Sequence, residues 1–236
     1  LYNISNRLPV KVSEKNGTFS FTRSEGGLAT GLDSLQTAYE KHWIGWPGIC
    51  VDNDSDKQAI GEKLEELNFH PVFLSDTQIK NYYEGYSNST IWPLCHYFFA
   101  YTLYKDTFWQ AYREVNKRFC ETICRLIGPE DKVWVQDYQL MLLPGMLREA
   151  VPDLCIGYFH HIPFPSYELF RILPERAEIL KGLLGADFIA FHTHDYMRHF
   201  ISAVERVLRM NFKLDEIQLG NRVVRIDALP MGINYD

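Results

Sequence analysis

The chain has 236 residues, 46% hydrophobic and 23% charged. That is ordinary globular composition, enough for one large domain or two small ones. Lys plus Arg number 24 against 30 Asp plus Glu, a net charge of −6. This balance excludes the basic footprint expected of a partner for nucleic acid or an anionic membrane, so any phosphate site must be local.

Five scattered cysteines (Cys50, Cys95, Cys120, Cys124 and Cys155) are odd in number and read as reduced thiols of a cytoplasmic protein, not as a disulfide framework. No apolar run is long enough to span a membrane, and no secretory signal is visible.

Residues 1–5 read as a first strand, with Asn6 and Arg7 in the turn at its carboxyl end because Pro9 forbids a continuing central strand. Residues 10–14 and 18–23 alternate apolar and polar side chains around Asn16-Gly17, which predicts a hairpin inserted into an α/β pattern. Gly26 and Gly27 precede a helical pattern at Leu28, Leu32, Leu35 and Ala38. Bare backbone N–H groups in such a loop can hold phosphate, although a plain turn is the commoner meaning of Gly-Gly.

Residues 42–46 form a short strand ending in Trp46-Pro47-Gly48, 54–67 an acidic amphipathic helix, and 69–74 another strand. Ser75 with Gln78 makes a capping box for a helix carrying Tyr82 and Tyr83. Because Pro93 breaks helices, the segment from Tyr86 through Tyr97 reads as irregular and apolar. Residues 106–127 are a long helix with an apolar stripe at Phe108, Tyr112, Val115, Phe119 and Ile123, stopped by Gly128-Pro129. A strand over 132–136 runs into Asp137, and a helix over 140–150 is kinked or delayed by Pro144.

A strand over 155–159 leads to His160-His161-Ile162-Pro163-Phe164-Pro165, and helices follow at Ser166 and over 179–184. A strand over 187–191, a helix to about Val207, a second hairpin around Gly220-Asn221 and a short strand at 228–233 complete the chain. Strands alternating with helices predict an α/β domain with a mostly parallel sheet, helices on both faces and small β-hairpin insertions, over 1–236 as one unit.

Three strand ends then carry polar groups. Arg7 has a fork suited to a phosphate oxyanion, ionised Asp137 accepts from sugar hydroxyls, and His161 donates or accepts near neutral pH. Singly, each has a plain alternative: a surface Arg, a capping Asp, a satisfied core His. Together, at the carboxyl edge of an open sheet, they point to a polar-ligand site. Adjacent histidines on a strand face opposite ways, and no His-Glu-x-x-His or cysteine cluster supports zinc, so no metal is expected. Gly-x-Ser-x-Gly, Gly-x-Gly-x-x-Gly and the P-loop pattern are absent.

At these residues the sequence resembles the trehalose-6-phosphate synthases, retaining glycosyltransferases of GT-B fold. The similar pieces are Ser-Asn-Arg-Leu-Pro at 5–9, Gly-Gly-Leu at 26–28, Trp-Ile-Gly-Trp-Pro-Gly at 43–48, Tyr-Tyr at 82–83, Tyr-Ser-Asn-Ser-Thr-Ile-Trp-Pro at 86–93 and His-Ile-Pro-Phe-Pro at 161–165. The resemblance implies the amino-terminal, acceptor-side Rossmann-like half, with the nucleotide-sugar domain absent from this chain. It implies transfer of glucose from UDP-glucose to glucose 6-phosphate, without cofactor or metal.

By the same resemblance Arg7, Tyr83 and Trp92 hold glucose 6-phosphate, Trp46 walls the acceptor and Asp137 binds its hydroxyls. Gly26 and Gly27 close over the donor diphosphate, and His161 sits at the donor glucose. Partners are then sugar phosphates and the family's own carboxyl-terminal domain, with a homo-oligomer left open. Some members of the family continue into a phosphatase domain. One departure stands out: Gln136-Asp137-Tyr138-Gln139 replaces the family's usual His-Asp-Tyr-His, so the Asp is kept while the flanking groups cannot titrate.

Overall fold

A computed structural model of the chain describes residues 1–15, 17–23 and 39–230. Gly26, Gly27 and the helical pattern after them lie outside the described residues. The strands are β1 (Tyr2–Arg7), β2 (Val10–Lys15), β3 (Thr18–Arg23), β4 (His42–Trp46), β5 (Phe69–Pro71), β6 (Lys132–Gln136), β7 (Cys155–His160), β8 (Phe188–Phe191), β9 (Glu216–Leu219) and β10 (Arg222–Ala228). The helices are α1 (Asp54–Glu65), α2 (Asp76–Gln78), a π-helix (Ile79–Ile91), α3 (Trp92–Cys95), α4 (Asp106–Leu126), α5 (Leu143–Ala150), α6 (Tyr167–Phe170), α7 (Arg176–Leu183) and α8 (His194–Leu208).

Eight strands form one sheet in the order β5-β4-β1-β6-β7-β8-β10-β9. Every pairing in it is parallel except β9 with β10. From β1 the chain builds outward through β4 and β5, then returns to the far side of β1 with β6. The order therefore reverses at β1, and ligand crevices in open α/β sheets sit at the carboxyl ends of strands flanking such a reversal.

Alternation along the strands separates two apolar layers. Ile4, Ile44, Val133 and Val135 pack into the larger cluster with α4, α5, α7 and α8. Trp43 and Trp134 join a smaller one with Ile60 and Leu64 of α1 and the hairpin residues Val10 and Val12. The stripe of α4 behaves as its spacing predicts, with Tyr112, Val115, Phe119 and Ile123 buried. Gly145 and Gly185 let α5 and the end of α7 touch: a Cβ on Gly185 would lie 2.4 Å from the Gly145 Cα.

Several expectations need correction. Asn6 and Arg7 are strand, not turn. The ladder shifts register between Ile4 and Arg7 and then resumes with Arg7 opposite Trp46, so β1 ends only where Pro9 is near. The segment from Tyr86 is not irregular. The helix opened by the Ser75–Gln78 capping box continues as a π-helix from Ile79 to Ile91, and Pro93 falls at the start of α3. Tertiary packing overrides the proline here: Tyr82 and Tyr86 lie 5.8 and 4.7 Å from the Tyr112 ring of α4. The second hairpin is no insertion, since β10 also pairs with β8 and extends the main sheet. Among the described residues only β2–β3 stands apart as its own two-stranded sheet. Of the last short strand, Ala228 is the end of β10, Leu229 and Pro230 are not strand, and residues 231–233 lie outside the described residues. Pro144 acts by delay: a short 3-10 turn over Tyr138–Leu140 precedes α5, which begins at Leu143. No helix among the described residues is long and apolar enough to cross a membrane.

Candidate functional site

Arg7 and Trp46 are register partners at the carboxyl ends of β1 and β4, so the ladder itself brings them together. The guanidinium lies over the indole, 5.4 Å from its centroid, a cation–π contact that holds the fork without neutralising it. Among the described residues no carboxylate pairs with Arg7, and the side chain is exposed at the edge of the sheet. Trp46 is fixed in turn by its indole N–H, which donates to the Ile49 carbonyl at 3.0 Å. Gly48 has φ of +85°, and a Cβ there would stand 2.5 Å from Arg7 Nη2. The Trp-Pro-Gly turn thus leaves room for the guanidinium only because residue 48 has no side chain.

Across the reversal, Asp137 follows the last residue of β6 with φ of 71° and ψ of 173°. Side-chain-bearing residues almost never occupy this region, and its cost is about 1–3 kcal/mol. What holds it is hydrogen bonding: its own N–H donates to the Phe159 carbonyl at 2.7 Å, and its Oδ1 accepts from the His161 N–H at 3.0 Å. The carboxylate therefore ties the end of β6 to the loop after β7. Burial pushes its carboxyl up to about 7, while the backbone N–H groups of His161, Tyr138 and Ile162 pull it down. By accessible surface the residue is only half-buried. A carboxylate has about four acceptor positions, so these contacts do not exhaust it.

His161 stacks on Phe159, with ring centroids 4.4 Å apart, and its Nε2 lies 2.8 Å from Gln136 Oε1. Burial, with the His192 ring 5.4 Å away, lowers its imidazole to about 4, so it is neutral at physiological pH. His160 is the last residue of β7 and faces the opposite way, into the core. Its Nδ1 is 3.0 Å from the Tyr158 hydroxyl, and burial takes it down to about 3.

The π-helix is fastened to both strand ends. Tyr82 donates to Asn6 Oδ1 at 3.0 Å, and Tyr138 donates to Asn88 Oδ1 at 2.9 Å. Tyr83 is half-buried between these anchors. Trp92 is 38% exposed and stacks on His96 at 4.0 Å and on Phe98 at 6.3 Å. The structure thus joins Arg7 to Trp46 and Asp137 to His161. Tyr83 lies on the π-helix and Trp92 at the start of α3, and among the described residues Trp92 makes no ring contact with the other four. Within those residues no group of three or more His, Cys, Asp or Glu is arranged to hold a metal ion.

The family model described as Glycosyltransferase family 20 matches residues 1–236. The chain belongs to glycosyltransferase family 20. This family 20 chain is 45% identical over 240 residues to the "Alpha,alpha-trehalose-phosphate synthase [UDP-forming] 56 kDa subunit" of Kluyveromyces lactis, covering 99% of the chain and 49% of that relative. It is 42% identical over 240 residues to the Saccharomyces cerevisiae protein of the same name, covering 99% and 48%.

Among solved structures, the amino-terminal domain of Candida albicans trehalose-6-phosphate phosphatase superposes with a TM-score of 0.82 at 31% identity, covering 99% of this chain and 48% of that one. A UDP-forming alpha,alpha-trehalose-phosphate synthase from Burkholderia xenovorans superposes with a TM-score of 0.79 at 29% identity, covering 98% and 48%. The chain spans about half the length of the relatives it matches.

Sequence reasoning on this family 20 chain missed the scaffold residues of the site. Asn6, Asn88 and Tyr138 each bond a partner at least 50 positions away, which no local pattern records. Gly48 had a signal, the Gly after Trp-Pro, but not its target.

Proposed function

We propose that the chain is the acceptor-side half of a retaining glucosyltransferase that moves glucose from UDP-glucose to glucose 6-phosphate, giving trehalose 6-phosphate and UDP. The observation that carries this reading is Arg7, a fork without a carboxylate partner among the described residues, laid on an aromatic wall beside the reversal in strand order. A phosphorylated sugar suits such a pair: the phosphate takes the guanidinium and the ring takes the indole. Relatives named UDP-forming trehalose-phosphate synthases support the reaction.

In this reading Tyr83 and Trp92 close the acceptor from the π-helix side, and Asp137 offers its remaining acceptor positions to hydroxyls. His161 meets the donor glucose, and Gly26 and Gly27 close over the diphosphate. The bond from the donor's anomeric carbon to UDP breaks as the acceptor's anomeric oxygen bonds to the same face. The acceptor proton leaves with the departing phosphate oxygen. No metal or cofactor enters, and catalysis rests on positioning and charge stabilisation. The nucleotide-sugar domain belongs to the half of the relatives outside this chain, so the isolated chain is inactive, and the setting is cytoplasmic.

The runner-up, a sugar-phosphate-sensing homologue without turnover, is not favoured by relatives named as synthases. The deciding experiment offers UDP-glucose to the native-length protein with glucose 6-phosphate, glycerol 3-phosphate or glucose, and identifies the product by mass. UDP release with glucose 6-phosphate alone, giving a phosphorylated non-reducing disaccharide, supports the proposal. Release with glycerol 3-phosphate instead moves the acceptor. Binding of glucose 6-phosphate without release favours the sensor.

A further inference from the structure

Gln136 is the last residue of β6, 1% exposed, and its side chain lies under the candidate site. A glutamine amide in that position must be spoken for, because a buried polar group without a partner is costly. Its Oε1 sits 2.8 Å from His161 Nε2. Its own amide nitrogen has no partner among the described residues. The other faces of the His161 ring are also set: Phe159 stacks beneath it, and the backbone N–H of His161 is bonded to Asp137. No protein group among the described residues bonds His161 Nδ1, and that atom is not among the buried unpartnered ones.

A neutral imidazole has one N–H and one bare nitrogen, and the bond made by one nitrogen dictates the state of the other. With Oε1 as the acceptor, Nε2 carries the hydrogen and Nδ1 keeps its lone pair. We propose that Gln136 is a positioning residue that holds His161 as the Nε2–H tautomer, so that His161 presents Nδ1 as a hydrogen-bond acceptor to a ligand hydroxyl. The group recognised at His161 is then a hydroxyl, not an anion such as phosphate. Identifying that hydroxyl with the donor sugar rests on the function proposed above; the tautomer does not.

The titratable group facing the ring is His192 after β8; Asp137 after β6 holds the backbone N–H of the same residue, and His160 at the end of β7 is turned away into the core. Gln136 adds no charge to them. A carboxylate in its place would keep the acceptor and add one.

The test begins with the unliganded wild-type protein, its histidines labelled with 15N, in a long-range 1H–15N correlation at neutral pH. The His161 pattern is expected to have a protonated Nε2 and a bare Nδ1. A protonated Nδ1 would mean that the Gln136 amide is turned the other way, and would overturn the proposal whatever the enzyme does. Gln136→Leu is expected to give a mixture of tautomers and to lower kcat/KM for UDP-glucose at least tenfold. Gln136→Glu is expected to keep the Nε2–H form and to create an acid limb in the pH profile, where protonation removes the Nδ1 lone pair. A Gln136→Leu protein with an unchanged tautomer, or a Gln136→Glu profile like that of wild type, would also overturn it. If the tautomers behave as stated and no UDP is released, the proposed function fails while the role of Gln136 stands.

Discussion

Asp137 sits at φ 71° and ψ 173°, a backbone region in which glycine rests without strain and aspartate does not. Two substitutions separate backbone from carboxylate. Asp137→Ala keeps the strain and loses the carboxylate bonds. Asp137→Gly loses the same bonds and relieves the strain. Relief is about 1–3 kcal/mol, and the greater freedom of glycine in the unfolded chain takes back about 0.4–1 kcal/mol. Asp137→Gly should therefore be the more stable variant by about 1–2 kcal/mol, or about 3–6 °C in Tm for a protein of this size. Asp137→Ala should also fall below wild type, because it keeps the strain and loses the bond from the His161 N–H. Urea titration followed by tryptophan fluorescence measures all three proteins on one axis. If Asp137→Ala equals or exceeds Asp137→Gly, residue 137 does not hold a positive φ, and the account of how the carboxylate is aimed is wrong.

Gly48→Ala places a Cβ 2.5 Å from Arg7 Nη2 and should dislodge the guanidinium from Trp46. Affinity for glucose 6-phosphate, read by calorimetry, should fall about tenfold, equivalent to about 1.4 kcal/mol; unchanged affinity would remove Arg7 from the phosphate site. Arg148 donates from Nη2 to both Asp187 oxygens at 2.7 Å, and Asp187 also accepts from the Ile156 N–H at 2.8 Å. Arg148→Ala should lower stability by about 2 kcal/mol, less than for a fully dry pair because Asp187 keeps some exposure, and should leave KM for both substrates unaltered.

The imidazole of His161 should titrate near 4, not 6.5, in a pH series of 1H–13C spectra. Since the folded form refuses a proton that the unfolded chain takes, its contribution to stability is complete above 6.5 and is lost as pH falls from 6.5 through about 4. Asp137 runs the other way: raised from 3.8 to about 7, it contributes at low pH and loses that contribution as pH rises through about 7. A His161 midpoint near 6.5 would contradict the burial of its ring.

The sequence by itself determined the α/β class, the order of elements and the strand-end location of Arg7, Trp46, Asp137 and His161. These follow from local pattern: apolar runs of strand length, the Ser75–Gln78 cap, the stripe of α4 and the Gly-bearing hairpin turns are written within a few residues of one another. The tertiary structure decided what local pattern cannot carry. It set the reversal at β1 that makes two of those strand ends neighbours, because strand order depends on which edges pair and not on which residues precede them. It carried a helix through Pro93, because packing of Tyr82 and Tyr86 on Tyr112 outweighs a proline placed where the helix type changes. It also bent Asp137 into a glycine-like conformation. Hydrogen bonds to Phe159 and His161, 22 and 24 positions along the chain, hold that conformation, and no propensity of aspartate would have predicted it.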